Sequence, residues 1–446
     1  MAVAASWLIS SCPFHLPKAS HHRGTQFAMQ RPMNKDVIVL GAGMVGVSAA
    51  LHLRRRGWDV TLLDRQQPGL AASFGNGGLI QREAVYPHPF PRAMAELARI
   101  ARNRSRDAVY HPLALPGLAS PLLRYWWQSH PDRYVRAVLG ASRLIEHCVD
   151  EHRALATLCG AEHMLRPQGW LRSFSNPAAL DAALAQAEIA HQSHGVEYAA
   201  LDAAELAAAE PHLLVRRAGA VRWTNCVSLA DPHALTMAYA TRFQALGGHM
   251  AIGDATSLTR NGPTWRVQTE AGPLEAATVV VALGSDATTV TRKFGYHPPL
   301  FGKRGYHMHY RLQGNAVLNT PLLDSEAGFL LTPMRTGIRM TTGAEFARPG
   351  ARPTPIQIER AEPIARTLLP LSDRVDETPW MGIRPCMPDM IPVIGPIPNQ
   401  PGLWANFGHS HQGLTLGPTT GRLLAEMMSG DTPFVDPAPY RAERFV

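Results

Sequence analysis

The sequence predicts an α/β protein: a Rossmann-type domain with an interleaved antiparallel-sheet (α+β) domain. Three observations predict it. Residues 36–64, DVIVLGAGMVGVSAALHLRRRGWDVTLLD, read as strand, glycine turn, helix and strand. The apolar run at 279–284, VVVALG, reads as a parallel strand buried on both faces, which returns to that first sheet. Residues 300–346 read as antiparallel strands set between two pieces of nucleotide-type fold.

Within the opening unit, Gly41, Gly43 and Gly46 form G-x-G-x-x-G between a strand and a helix. That context makes a common glycine pattern specific. Gly41 allows the tight turn, Gly43 lets the backbone approach a pyrophosphate, and Gly46 lets helix and strand pack closely. The helix start offers free N–H groups and partial positive charge to phosphates. Asp64 follows Gly41 by 23 residues, where a carboxylate accepts from a ribose hydroxyl. Arg54, Arg55 and Arg56 close the helix and complement its dipole.

A chain of 446 residues, 46% hydrophobic and 17% charged, supports one large or two ordinary domains. The formal charge of +8 is carried almost wholly by Arg; the lysines are Lys18, Lys35, Lys293 and Lys303. No Lys/Arg tract with interleaved aromatics is present, so no nucleic-acid partner is expected. The five cysteines are scattered and form no C-x-x-C, which fits a reduced, cytoplasmic compartment. His pairs such as His307/His309 lack a supporting ligand set, so no metal is expected. No apolar run approaches the roughly 18 residues that span a bilayer.

Along the chain, residues 1–33 form a leader without clear periodicity, and the natural start is expected at Met29 or Met33 unless this is a disordered tail. A competing reading takes Ile9 to Cys12 as a lipoprotein cleavage box. Residues 34–88, 228–295 and 379–432 are assigned to the nucleotide domain. Residues 89–227 and 296–378 are assigned to the second domain, and 433–446 to a tail. The loop after Asp64 carries S-x-x-N-x-G-G at Ser73, Asn76, Gly77 and Gly78, suited to bring backbone close to a flat ring. Residues 89–160 read as helices broken by Pro, and LLRYWWQ at 122–128 as core packing. Helices are expected over 176–195, 202–210, 231–246 and 357–368, with strands over 168–174, 219–223, 250–252 and 265–269. GIRPCMPDMIPVIGP at 382–396 reads as a Pro-rich loop, and 403–430 as strand, glycine loop and helix. Pro418 is placed in that helix's first turn and Gly430 at its end. Two helix N-termini, one near each end of the chain, suit one long cofactor between them.

These motifs resemble the amino-acid-oxidase-like FAD enzymes, the D-amino-acid oxidase or glycine oxidase superfamily. The resemblance spans about residues 35–430. It rests on the glycine array with Asp64, on S-x-x-N-x-G-G, and on the pair G-x-R-P-x-x-P-D-x-x-P-x-x-G and G-H-x-x-x-G. Ser73 to Gly78 and Tyr306 after Arg304-Gly305 look closest to bacterial D-amino-acid and hydroxyproline dehydrogenases. The resemblance implies FAD, with Gly41, Gly43, Met44, Val45, Gly46, Asp64 and Arg65 on its ADP half. Ser73, Asn76, Gly77 and Gly78 would approach the flavin side, and Gly408, His409, Gly413, Leu414 and Thr415 the ring. Gly284 joins the cofactor-binding set at the end of the VVVALG run. Gly382 stands where covalently flavinylated relatives carry Cys, and Cys386 is only three residues before Asp389, so the FAD is expected to be non-covalent. Thr415 and His411 stand where sarcosine-oxidase-like and glycine-oxidase members place a substrate-binding Lys and Arg.

The implied reaction is oxidation of a small amino acid, a D-amino acid or hydroxyproline-like compound. Hydride passes from Cα–H to flavin N5, and the imino acid hydrolyses to a 2-oxo acid. With one dinucleotide array only, a quinone, a carrier protein or oxygen takes the electrons. Without a membrane span, any link to a quinone pool is peripheral, at the inner face of the membrane. Arg384 is the expected carboxylate ligand, because its planar fork matches a carboxylate. Tyr306, His409 and His411 are further candidates for lining the site. A glycine- or sarcosine-type oxidase, a tRNA-modifying FAD enzyme and a FAD subunit of a larger dehydrogenase remain as alternatives.

Overall fold

β1 (Asp36–Leu40) lies inside an eight-stranded sheet in the computed structural model, which describes residues 35–446 except Asp107. The leader, with Met29, Met33 and the Cys12 box, lies outside the described residues. Across the sheet the strands run Gly272–Ala276, Thr264–Thr269, His249–Asn261, β2 (Asp59–Asp64), β1, Thr278–Val281, Leu403–Phe407 and Val393–Pro396. The central pairings are parallel. Antiparallel strands close both edges. Central strands such as Thr278–Val281 are buried on both faces, which is why their sequences are continuously apolar.

Helix α1 (Met44–Arg55) follows β1 and packs along the Gly413–Ser429 helix. Their registers rise together: a Cβ on Gly417 would lie 2.7 Å from Met44 Cγ, and one on Gly421 2.8 Å from the Ala49 nitrogen. The two helices are therefore parallel and in backbone contact, and their N-termini sit side by side. A Cβ on Gly413 would lie 3.9 Å from Val45 Cγ2.

The second sheet has eleven strands. Its spine is the long strand Phe301–Leu312, paired with Gly337–Thr341 and Ala344–Phe346 and, on its other edge, with Leu371–Arg374 and Trp380–Cys386. Side chains alternate between its two faces. Tyr306, Met308 and Tyr310 join Leu331, Met340 and the Ile356–Leu368 helix in one core. The opposite face carries Lys303, Gly305, His307 and His309, with Arg384 and Trp380 from the neighbouring strand. It turns toward the loop at 73–78, because His307 Nδ1 meets the Gly75 carbonyl at 3.3 Å and Thr332 Oγ1 donates to the Gly77 carbonyl at 2.9 Å.

Four expectations are corrected. Residues 380–386 form a strand, not a Pro-rich loop, and pair in the second sheet rather than the first. The strand sits at the sheet's edge, where Pro385 costs no ladder bond on its outer side. Pro418 is not in the first turn but inside the Gly413–Ser429 helix. It has no N–H for the Leu414 carbonyl, and buried His152 supplies the missing donor through Nε2 at 2.8 Å. Within LLRYWWQ only Tyr125 is buried. Trp126 and Trp127 each carry a guanidinium over one ring face, Arg92 at 4.3 Å and Arg133 at 3.8 Å from the ring centroids, and Trp127 stays exposed. The last residues are docked rather than a free tail: Tyr440 is buried and donates to the Gly140 carbonyl, and Arg444 pairs with Asp389.

Candidate active site

The glycine turn is built as its spacing requires. Gly41 has φ +104°, and a Cβ there would lie 2.5 Å from the Ala282 carbonyl oxygen. A Cβ on Gly46 would run into the Gly41 carbonyl. Gly43 is open except toward Ser73, whose Oγ accepts from the Met44 amide at 2.9 Å. The S-x-x-N-x-G-G loop thus reaches back to the start of α1. Asp64 Oδ2 accepts from the Ala42 amide at 2.7 Å and holds the turn from the end of β2. Beside it opens a cavity of about 230 Å³, lined by Ala42, Leu62, Asp64, Gln66, Pro68 and Met250 among others.

The remaining cofactor candidates divide. Val45 and Gly413 sit together where the two helices begin. Leu414 and Thr415 are buried, and Thr415 Oγ1 donates to the Leu79 carbonyl and accepts from the Gln81 amide, both at 3.3 Å. Asn76 Oδ1 is taken by the Gly78 amide at 2.9 Å, while Gly77 lies against Leu330 and Thr341 of the second sheet. Gly284, with φ +56°, has open space around it. Arg65 is exposed and pairs with Asp286 at 3.1 Å. Gly408 has φ +85°, and a Cβ there would meet Met387 Cγ at 2.6 Å.

Arg384 is on the face of its strand that turns toward the loop at 73–78, the cleft side of the sheet, with its guanidinium lying over Gly305. It donates to the Gly343 carbonyl at 2.6 Å and the Thr342 carbonyl at 3.0 Å. No carboxylate among the described residues pairs with it, and burial lowers its pKa from the ordinary value. His411 lies near it and stacks on His88, with ring centroids 5.0 Å apart. Burial first, then the charges of His88, Arg384 and Lys303, hold His411 well below the usual imidazole range, so it is neutral at pH 7.

Two other candidates are not brought to this cleft face. Tyr306 follows Gly305 and so points to the opposite side of the sheet. There its hydroxyl donates to Glu345 at 2.6 Å and accepts from the Thr354 amide. His409 is buried beneath the start of the Gly413–Ser429 helix, with Nε2 3.0 Å from Thr420 Oγ1. Burial lowers its pKa to about 3. Both read here as structural groups.

His307 and His309 do have a third neighbour of ligand type, Asp376, their ligand atoms all lying within 4.8 Å. The cluster works instead as a hydrogen-bond relay. His309 Nδ1 donates to Asp376 at 2.8 Å, and His309 Nε2 accepts from Arg339 Nε at 2.9 Å. Arg339 in turn donates to the Phe74 and Asn76 carbonyls at 3.0 and 2.6 Å and so clamps the loop at 73–78. A guanidinium against the imidazole disfavours a cation there.

A family model described as "FAD dependent oxidoreductase", DAO, matches residues 36–427. The chain belongs to the DAO family. A D-amino acid dehydrogenase of Cereibacter sphaeroides is 31% identical over 425 residues, 92% of this chain and 95% of the relative. A D-amino-acid oxidase of Bradyrhizobium diazoefficiens is 29% identical over 433 residues, 93% of this chain and 100% of the relative. Among solved structures, glycine oxidase from Geobacillus kaustophilus superposes with a TM-score of 0.68 at 20% identity, covering 92% of this chain and 99% of that one. L-proline dehydrogenase from P. horikoshii gives 0.69 at 18% identity, with 93% and 99% covered. The protein is thus a DAO-family FAD-dependent oxidoreductase with a Rossmann-type domain joined to an antiparallel sheet.

The cradle fits the cofactor of the DAO family. Two helix N-termini lie side by side, Gly43 leaves backbone open toward the cleft, and a cavity adjoins Asp64. Sequence reasoning missed Lys303, Gly305, His88 and Tyr125. Lys303 and Gly305 share one face of strand 301–312 by parity, but only the pairing of Lys303 with Arg384 shows which face that is. Nothing local singled out His88, which reaches the cleft from the loop at 87–90.

Proposed function

We propose that the protein oxidises a small amino acid of D-amino-acid or hydroxyproline type, using non-covalently bound FAD as the immediate electron acceptor. When bound, FAD supplies a two-electron sink for the hydride that leaves Cα. The reading is carried by Arg384, a guanidinium presented to the cleft on two carbonyls with no carboxylate partner. Such a group is free to take a substrate carboxylate bidentately. The positive field of Arg384 favours the neutral amine that hydride loss requires, because a nearby cation lowers an ammonium pKa. His411 and His88 stack against each other beside this position, and neutral His411 adds no charge there. Non-covalent attachment is supported by Gly382, where a Cβ would run into the Trp380 indole.

The name of the Cereibacter sphaeroides relative supports a dehydrogenase that passes electrons to a quinone or carrier protein faster than to oxygen. No helix among the described residues is long and apolar enough to cross a membrane. A cytoplasmic enzyme with peripheral contact at the inner membrane face fits the exposed Met94, Leu113, Leu123 and Trp127, flanked by Arg92 and Arg133.

The test is anaerobic bleaching of the flavin by a panel of D-amino acids, glycine, sarcosine and hydroxyprolines. Arg384→Ala should keep the flavin spectrum and lose about two to four decades in kcat/KM, the worth of two charged hydrogen bonds. Arg384→Lys should recover part of the loss, and amino-acid amides should be poor substrates of both forms. Near-normal turnover in Arg384→Ala would place the carboxylate elsewhere.

A further inference from the structure

Lys303 and Arg384 are directly opposed across the antiparallel pair formed by strands Phe301–Leu312 and Trp380–Cys386. Directly opposed residues share a face, so two cations stand together on the cleft side. Like charges in this arrangement destabilise a sheet. Neither is neutralised by the protein: among the described residues, neither forms a salt bridge with a carboxylate. Lys303 Nζ donates to the Tyr125 hydroxyl at 3.3 Å and lies 4.3 Å from that ring's centroid, with Phe301 and Phe346 within 5.9 Å. Tyr125 is itself fixed, its hydroxyl donating to the His88 carbonyl. The ammonium is therefore held, yet among the described residues only one of its three N–H donors has a hydrogen-bond partner.

The two charged ends diverge along the strand. The Lys303 ammonium lies toward Phe301, and the Arg384 guanidinium lies over Gly305. Positions 301 and 305 are four residues of strand apart, roughly 13 Å. One carboxylate cannot bridge that distance, but two carboxylates on a short carbon chain can. We propose that the natural substrate is an amino acid with a second carboxylate: Arg384 takes the α-carboxylate and Lys303 the second. This rests on the amino-acid reading above and names its substrate class. The second carboxylate belongs either to the side chain, as in D-aspartate and D-glutamate, or to a substituent on nitrogen, as in iminodiacetate. The shared chemistry is a dianion with an amine between its ends.

The test uses the FAD-loaded enzyme. Flavin bleaching is followed anaerobically with D-aspartate, D-glutamate, iminodiacetate, D-alanine and D-valine. At least one dicarboxylate should exceed D-alanine by about 10-fold or more in kcat/KM, and the arm that does identifies which carboxylate source is used. Lys303→Met should lower that substrate by about 10- to 100-fold and leave D-alanine within about threefold. Lys303→Arg should retain most of the preference. A second readout needs no turnover: glutarate should perturb the flavin spectrum at lower concentration than butyrate, and Lys303→Met should abolish the difference. Neutral amino acids preferred by the wild type, or equal losses for both classes in Lys303→Met, would overturn the proposal while leaving the amino-acid reading intact. Failure of every amino acid to bleach the flavin would overturn both.

Discussion

A Cβ atom on Gly305 would lie 2.5 Å from Nη2 of Arg384. The guanidinium occupies the room that the missing side chain leaves, and there it reaches the Gly343 and Thr342 carbonyls. Gly305→Ala should therefore displace the Arg384 head without touching the cofactor cradle. Loss of one well-aligned charged hydrogen bond to substrate corresponds to about 1.5–3 kcal/mol, or about one to two decades in kcat/KM. The flavin content and absorbance should be unchanged. The cycle with Arg384→Ala separates this from a general disturbance: in that background the alanine should cost little. An equal cost in both backgrounds would show that Gly305 serves the strand and not the arginine.

The opening βαβ unit was legible because its signals are local. β1, α1 and β2 follow directly from a β-branched run, a glycine array and an apolar strand, and Val279 to Val281 from continuous burial. Arg384 was legible as a motif residue but was put on a loop, because Pro385 and Pro388 look like breakers. An edge strand tolerates such a residue, and edge position is a property of the sheet, not of the segment. Tyr306 was misplaced for the opposite reason: the motif drew attention to it, whereas alternation sends it into the core with Glu345. Lys303 was read only as one of few lysines. Its meaning comes from a pairing with a residue about 80 positions later, which no local pattern contains.

Asp64 links the cofactor cradle to the turn that shapes it. Its carboxylate accepts from the Ala42 amide and, at 3.3 Å, from the Gln66 amide. Asp64→Ala should weaken FAD retention for two reasons, the loss of the ribose partner and the loosening of the glycine turn. An increase in the FAD dissociation constant of about 10- to 100-fold is expected from one to two charged hydrogen bonds. The purified wild type should release FAD, not FMN, on heat or acid denaturation. Flavin that stays with the denatured chain would contradict non-covalent binding, and unchanged FAD affinity in Asp64→Ala would remove the residue from the cofactor site.

Buried neutral histidines set the acid limit of the fold. Burial, with Arg56 and Arg55 nearby, lowers His52 to about 3. Burial alone lowers His409 to about 3. Burial and Arg339 lower His307 to about 2, and burial lowers His152 to about 4 against its backbone hydrogen bonds. All four are almost fully buried. In the unfolded chain each would titrate near 6.5. Folded pKa values below the unfolded one mean that the unfolded state binds more protons in acid. The stability is therefore whole above about pH 6.5 and is lost as pH falls toward the folded values. Each histidine contributes a slope of about 1.4 kcal/mol per pH unit once well below 6.5. Glu83 and Glu210, raised by burial, act in the opposite sense above about pH 4.5. The net slope is then roughly 3 kcal/mol per unit, large against a typical total stability of about 5–15 kcal/mol. Urea midpoints measured from pH 7.5 to 5 should fall steeply below 6.5. His52→Leu isolates one contribution, because His52 Nε2 has no hydrogen-bond partner among the described residues. That variant should be as stable as the wild type at pH 7.5 and should lose about 1.4 kcal/mol less per pH unit on acidification. A wild-type midpoint that stays flat down to pH 5 would mean that these imidazoles take up protons in the folded state, and that they are far less enclosed than their packing indicates.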